Sequence, residues 1–133
     1  MDIRRGEDGL RDAWEVASSG IVYVNPPFSN ASAWLNKCAR ESQRLRRVVV
    51  ALVPAIPGDG PWHNEVWPGC PVVGFIRGRV EFRNPKGRME SKGRGHALCL
   101  FGSEYEAMLV AYPIADLAAR HPQAPVWVKR WVP

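Results

Sequence analysis

The chain has 133 residues, 46% of them hydrophobic, and a net charge of +5, proportions that suit one domain large enough to bury a core. No apolar run reaches membrane-spanning length, and the charged amino terminus is unlike a secretory leader, so membrane-embedded and exported classes are set aside. Cys38, Cys70 and Cys99 are odd in number and widely spaced, which argues for free thiols in a reducing cytoplasm and, with three scattered histidines, for no metal site.

Taken in chain order, Glu7 to Glu15 is polar apart from Leu10 and Trp14 and reads as a loop or short turn. Ile21 to Val24 predicts the first strand. Asn25-Pro26-Pro27-Phe28 interrupts it, and Ser29 or Asn30 is placed to cap a helix in which Ala31, Trp34, Leu35, Cys38, Ser42 and Leu45 fall at three-and-four spacing. Val48 to Val53 is a continuous apolar, largely β-branched run, the pattern of a strand buried on both faces of a parallel sheet. Pro54 and the cluster around Pro57 to Pro61 end it. Trp62 to Trp67 suits one helical turn, Pro71 to Ile76 a third strand and Ala97 to Phe101 a fourth. The tail from Ser103 to Arg120 has helical composition, with Pro113 expected to break or kink it. This alternation predicts an α/β fold, a partial doubly wound, Rossmann-like sheet of mostly parallel strands with flanking helices, which binds ligands at the strands' carboxyl ends.

Asn25 stands at such an end. Asn and Pro are ordinary turn residues, but an Asn-Pro-Pro-aromatic loop directly behind a buried-type strand resembles the catalytic loop of amino-group methyltransferases that use S-adenosylmethionine. The residue types suit that chemistry. An exocyclic amine is a poor nucleophile because its lone pair is delocalised into the neighbouring π-system. The Asn25 side-chain oxygen and the Pro26 carbonyl would each accept one N–H and localise it, as groups fixed in advance. Pro26 and Pro27 lock the backbone, and Phe28 offers a flat face for a planar base. A base in duplex DNA must be swung out of the stack to reach such a pocket.

Charge is concentrated in one segment. Arg77, Arg79, Arg83, Lys86, Arg88, Lys92 and Arg94 stand against Glu81 and Glu90 alone, a net +5 between Arg77 and Arg94. Glycines at 78, 87, 93 and 95 predict a flexible arm able to contact phosphates. Lys37, Arg40, Arg44, Arg46 and Arg47 add basic residues from the first helix.

The Asn25-Pro-Pro-Phe-Ser loop, the helix with Trp34, the strand ending in Pro54-Ala55, Trp62, the Phe75-Ile-Arg-Gly-Arg-Val-Glu-Phe82 stretch and the Gly95-to-Gly102 strand together resemble the phage-encoded DNA N6-adenine methyltransferases of the Dam type. Glu7-Asp8-Gly9-Leu10, with Trp14 beyond it, is similar to the piece that leads into their catalytic loop, so the resemblance runs from about Glu7 to Gly102. It implies adenine-N6 methylation of double-stranded DNA, Asn25, Pro26, Pro27 and Phe28 at the target amine, S-adenosylmethionine as cofactor, and Asp8, Leu10 and Asn25 beside it. Family members carry a further amino-terminal portion for the methionine part of the cofactor, and no Phe-x-Gly-x-Gly motif occurs in this chain. Residues 1–133 thus resemble one catalytic domain, the carboxyl-terminal half of the family fold. An exposed sheet edge, self-association or a partner chain completing the sheet is then expected. Three functions follow: the DNA methyltransferase, an inactive prophage remnant that only binds nucleic acid, and a methyltransferase acting on an RNA base or protein amide.

Overall fold

The computed structural model describes residues 9–15, 20–78, 81–83, 86–87, 89–91, 95–118 and 121–129. Its centre is β2 (Val49–Pro54), whose six residues are all buried, as its unbroken apolar sequence requires. Each fully buried valine or leucine there contributes about 1.5–3 kcal/mol. Around it a five-stranded sheet takes the order β1 (Val22–Val24), β2, β6 (His96–Phe101), β3 (Val72–Phe75), β7 (Val126–Lys129). Strands β4 (Glu81–Arg83) and β5 (Met89–Ser91) form a separate antiparallel pair.

The prediction of a mostly parallel sheet is corrected. Only β1 and β2 pair in parallel; β2 with β6, β6 with β3 and β3 with β7 are antiparallel. Burial on both faces is what the apolar run of β2 encodes, and an antiparallel neighbour satisfies it equally well. Strands β1, β2 and β3 nevertheless run in one direction, because β6 is slotted in reverse between β2 and β3.

Two layers cover the sheet. Alternation sends Val49, Ala51 and Val53 of β2 and Ala97, Cys99 and Phe101 of β6 to one face. There they meet Leu35 and Cys38 of α1 (Ala31–Leu45) and Trp62 and Val66 of a π-helical turn (Trp62–Val66), which α2 (Trp67–Gly69) continues. Val50, Val72 and Leu100 face the other way, against Ala107 and Ala111 of α3 (Glu104–Ala118). The predicted stripe on α1 packs as expected: Leu35, Cys38 and Ser42 are buried, and Trp34 and Leu45 pack against the core.

Several local expectations change. Asn30 stands at the cap position of α1 without a capping side-chain hydrogen bond, and Ser29 lies inside a 3-10 turn (Phe28–Asn30). Of the break or kink expected at Pro113, the break does not occur, and α3 continues through that residue. The basic segment read as a flexible arm contains the β4–β5 pair, with Gly87 at φ +80° in its turn, a left-handed value that glycine adopts without a side-chain clash. Strand β7 escaped the sequence reading altogether. The three cysteines are buried thiols outside any disulfide, and burial pushes Cys38 up to about 12, with nearby Cys99 adding to the effect.

Candidate active site

Strand β1 stops where the prolines begin. Asn25 follows Val24 directly and is exposed, Pro26 is buried, and Pro27 is extended (φ −66°, ψ 142°) before the 3-10 turn that feeds α1. Among the described residues no hydrogen bond engages the Asn25 side chain, which leaves its amide oxygen open as an acceptor. The side chain of Phe28 lies outside what is described. The last register pair is Val24 with Ala51, so β2 runs three residues further, to Pro54, at the end of the sheet where the Asn25 loop begins.

Beyond β2 the chain turns sharply. Ala55 N–H donates to the Gly95 carbonyl (2.9 Å), Ile56 N–H to Pro54 (3.0 Å) and Asp59 N–H to Ile56 (2.9 Å). The indole of Trp62 donates to the Pro54 carbonyl at 2.9 Å and stacks on Phe75, ring centres 5.6 Å apart and planes 18° from parallel. Trp67 leans on it at 5.4 Å and donates to the Pro57 carbonyl at 3.1 Å. Glu65 accepts from Ser32 and Asn36 of α1, both at 3.4 Å, and so ties this turn to the helix. Between them lies a cavity of about 150 Å³ lined by Leu35, Val53, Pro54, Asp59 and Trp62 among others. A larger cleft of about 540 Å³ sits among Arg46, Gly69, Gly102 and Ser103. That cleft is at the opposite end of β2, away from Asn25.

The charges of α1 are not spread over its surface. Lys37 and Glu41 have only 5% of their side chains exposed and are paired at 2.9 Å, while Arg44 meets the same carboxylate at 2.6 Å. Burial alone would raise the Glu41 carboxyl, but hydrogen bonds and charge from Lys37 and Arg44 outweigh it and hold the group below its ordinary value. Both cations also reach across to segment 9–15. Lys37 donates to the Asp12 carbonyl (2.8 Å), Arg44 to the Trp14 carbonyl (2.7 Å), and the Trp14 indole closes the loop onto the Gly9 carbonyl (2.8 Å). The Lys37 ammonium lies 5.9 Å from the centre of the Trp14 ring. Leu10, expected beside the cofactor, is half-buried in this loop, and Asp8 lies outside the described residues. The sequence reading missed the clamp and took Lys37 and Arg44 only as basic residues added by the first helix, whereas both are ion-paired with Glu41. Lys37, Glu41 and Arg44 at i, i+4 and i+7 were the available signal, since that spacing puts them on one helical face.

Of the basic arm, Arg77 and Lys86 are exposed, Arg83 belongs to β4, and Arg79, Arg88, Lys92 and Arg94 lie outside the described residues. His96, absent from the sequence reading of the site, is buried at the start of β6 opposite Pro54. Among the described residues no three His, Cys, Asp or Glu side chains gather as a metal site, and no helix is long and apolar enough to cross a membrane.

Comparison with known proteins finds no curated protein and no solved structure that matches. One family model does match, that of DNA N-6-adenine-methyltransferase (Dam), over residues 3–119. The match takes in segment 9–15, the Asn25 loop, the sheet through β6 and the whole of α3. The chain belongs to the Dam family of DNA adenine-N6 methyltransferases.

Proposed function

We propose that this chain transfers a methyl group from S-adenosylmethionine to N6 of adenine in double-stranded DNA, with Asn25 and Pro26 gripping the amine. The observation that carries this reading is the Asn25 loop. An exposed Asn amide with no partner among the described residues follows β1 directly, at the same end of the sheet as the cavity beyond β2, in a chain of this family. The Asn25 oxygen and the Pro26 carbonyl accept the two amine hydrogens, and Pro27 holds the loop rigid. The residues present fit a methyl donor: segment 9–15 is fastened to α1, the helix the Asn25 loop feeds, and leaves Leu10 partly open as an apolar surface for an adenosine. Bound S-adenosylmethionine supplies an electrophilic methyl carbon. Asn25 and Pro26 would hold the amine lone pair toward that carbon, and the proton the amine gives up would pass to solvent.

Substrate affinity on this reading comes from the β4–β5 pair and its flanks, where Arg77, Arg79, Arg83, Lys86, Arg88, Lys92 and Arg94 neutralise phosphates. Phe28 stacks on the extruded base. The test is transfer of radiolabelled methyl groups to pools of DNA, RNA and protein. Label on adenine N6 of DNA, lost in Asn25→Ala with an unchanged melting curve, is expected. Label confined to RNA or protein overturns the substrate, and full activity in Asn25→Ala reduces the loop to a structural turn.

A further inference from the structure

We propose that Lys37, Glu41 and Arg44 are positioning residues for methyl-donor binding, a clamp that sets segment 9–15, and Leu10 within it, against α1. The inference rests on the reading given above in which Leu10 lies against the methyl donor. Stability does not account for the arrangement. Taking a lysine and a glutamate out of water costs several kcal/mol per ion, and well-packed apolar residues of similar volume are often equally or more stabilising. What apolar residues cannot do is donate to carbonyls. Lys37 and Arg44 each spend a hydrogen bond on a backbone oxygen of one short loop, Asp12 at 2.8 Å and Trp14 at 2.7 Å, while Glu41 holds both cations in place from between them.

Those two anchor points fix direction as well as contact. Lys37 precedes Arg44 by seven residues, about 10 Å along the helix. The loop therefore runs alongside α1 with its Asp12 end nearer the Asn25 loop than its Trp14 end. The Trp14 indole closes it from within on the Gly9 carbonyl, so Leu10 is held in a ring of fixed backbone.

The test compares the wild-type chain with the triple variant Lys37→Met, Glu41→Leu, Arg44→Leu, which keeps bulk and removes the donors, and with Arg44→Met, which frees only the half-exposed end. S-adenosylmethionine is titrated calorimetrically, duplex DNA binding is measured in parallel, and amide exchange is followed across residues 10–15 without cofactor. The expected result is faster exchange at 10–15, about tenfold weaker cofactor binding in the triple variant and a smaller loss in Arg44→Met, with DNA affinity unchanged. Lys37→Arg, which keeps a donor for Asp12, should recover most of the cofactor affinity. Cofactor binding in the variants equal to wild type, despite faster exchange, makes the clamp purely structural and overturns the inference. A wild-type chain that binds no cofactor removes the functional reading and the clamp with it. If the triple variant does not fold, Arg44→Met and Lys37→Arg decide by the same comparison.

Discussion

Helices α1 and α3 each have fifteen residues and cover opposite faces of one sheet, yet they treat water in opposite ways. Helix α1 is rich in charge but buries two charged side chains in an ion pair. Helix α3 is apolar around most of its circumference and leaves Tyr105, Leu109 and Tyr112 exposed at 75%, 54% and 66%. Composition alone would assign the interior role to α3 and the surface role to α1. The difference teaches that a helix's charges report on what crosses it. Segment 9–15 lies over α1 and gives its cations carbonyls to bind, whereas α3 holds the sheet through buried Ala107 and Ala111 with Met108 and Val110 partly buried beside them.

The sharpest way to break this contrast is to remove the centre of the clamp. Glu41→Ala leaves Lys37 buried without its carboxylate and should cost about 3 kcal/mol in denaturant unfolding. Its pH dependence carries a sign. The Glu41 carboxyl is held below its ordinary value of 4.5 in the folded chain. Its contribution is therefore complete above the unfolded value and is lost as pH falls through the lower folded one. Acid unfolding followed by tryptophan fluorescence should show that loss in the wild type, and Glu41→Gln should flatten it.

On the α3 face, the largest effect belongs to Gly74 under Trp127. A Cβ there would sit 2.7 Å from the indole ring, so Gly74→Ala should lower stability by about 1–2 kcal/mol through overpacking. Pro113→Ala should act the other way, raising stability by about 1 kcal/mol and the melting temperature by a few degrees, because the helix already runs through that position. Smallest of all, Tyr105→Gln with Leu109→Gln should move stability by no more than about 0.5 kcal/mol. A larger loss from this pair would mean that α3 is no open face in solution, and the contrast with α1 would fail.

How much of this was legible in the sequence follows from the range of each signal. The β2 run, the α1 stripe and the Asn25 loop are local patterns, and burial periodicity or proline stiffness is enough to read them. Strand direction is not local: nothing in His96 to Phe101 says that this strand enters the sheet reversed between β2 and β3, which is why the parallel prediction failed. Strand β7 is four residues at a sheet edge, half exposed, too short for its alternation to stand out. The clamp needed a partner 25 residues away, Asp12 for Lys37, and its acceptors are backbone oxygens, which every residue carries and no sequence distinguishes. The Asn25 loop is readable for the opposite reason, since an Asn and two prolines in a row behind a strand are distinctive side chains that the sequence itself displays.

The reversed strand also governs how the basic arm is held. Its chain leaves from β3 and returns as β6, and these two are hydrogen-bonded neighbours up to the point of departure, where Ile76 N–H meets the His96 carbonyl at 3.0 Å. The return leg is fastened a second time, by Ala55 to Gly95, onto the turn that bears Trp62. The long excursion from Ile76 to His96 therefore begins and ends at one point of the sheet, as a loop closed at its base.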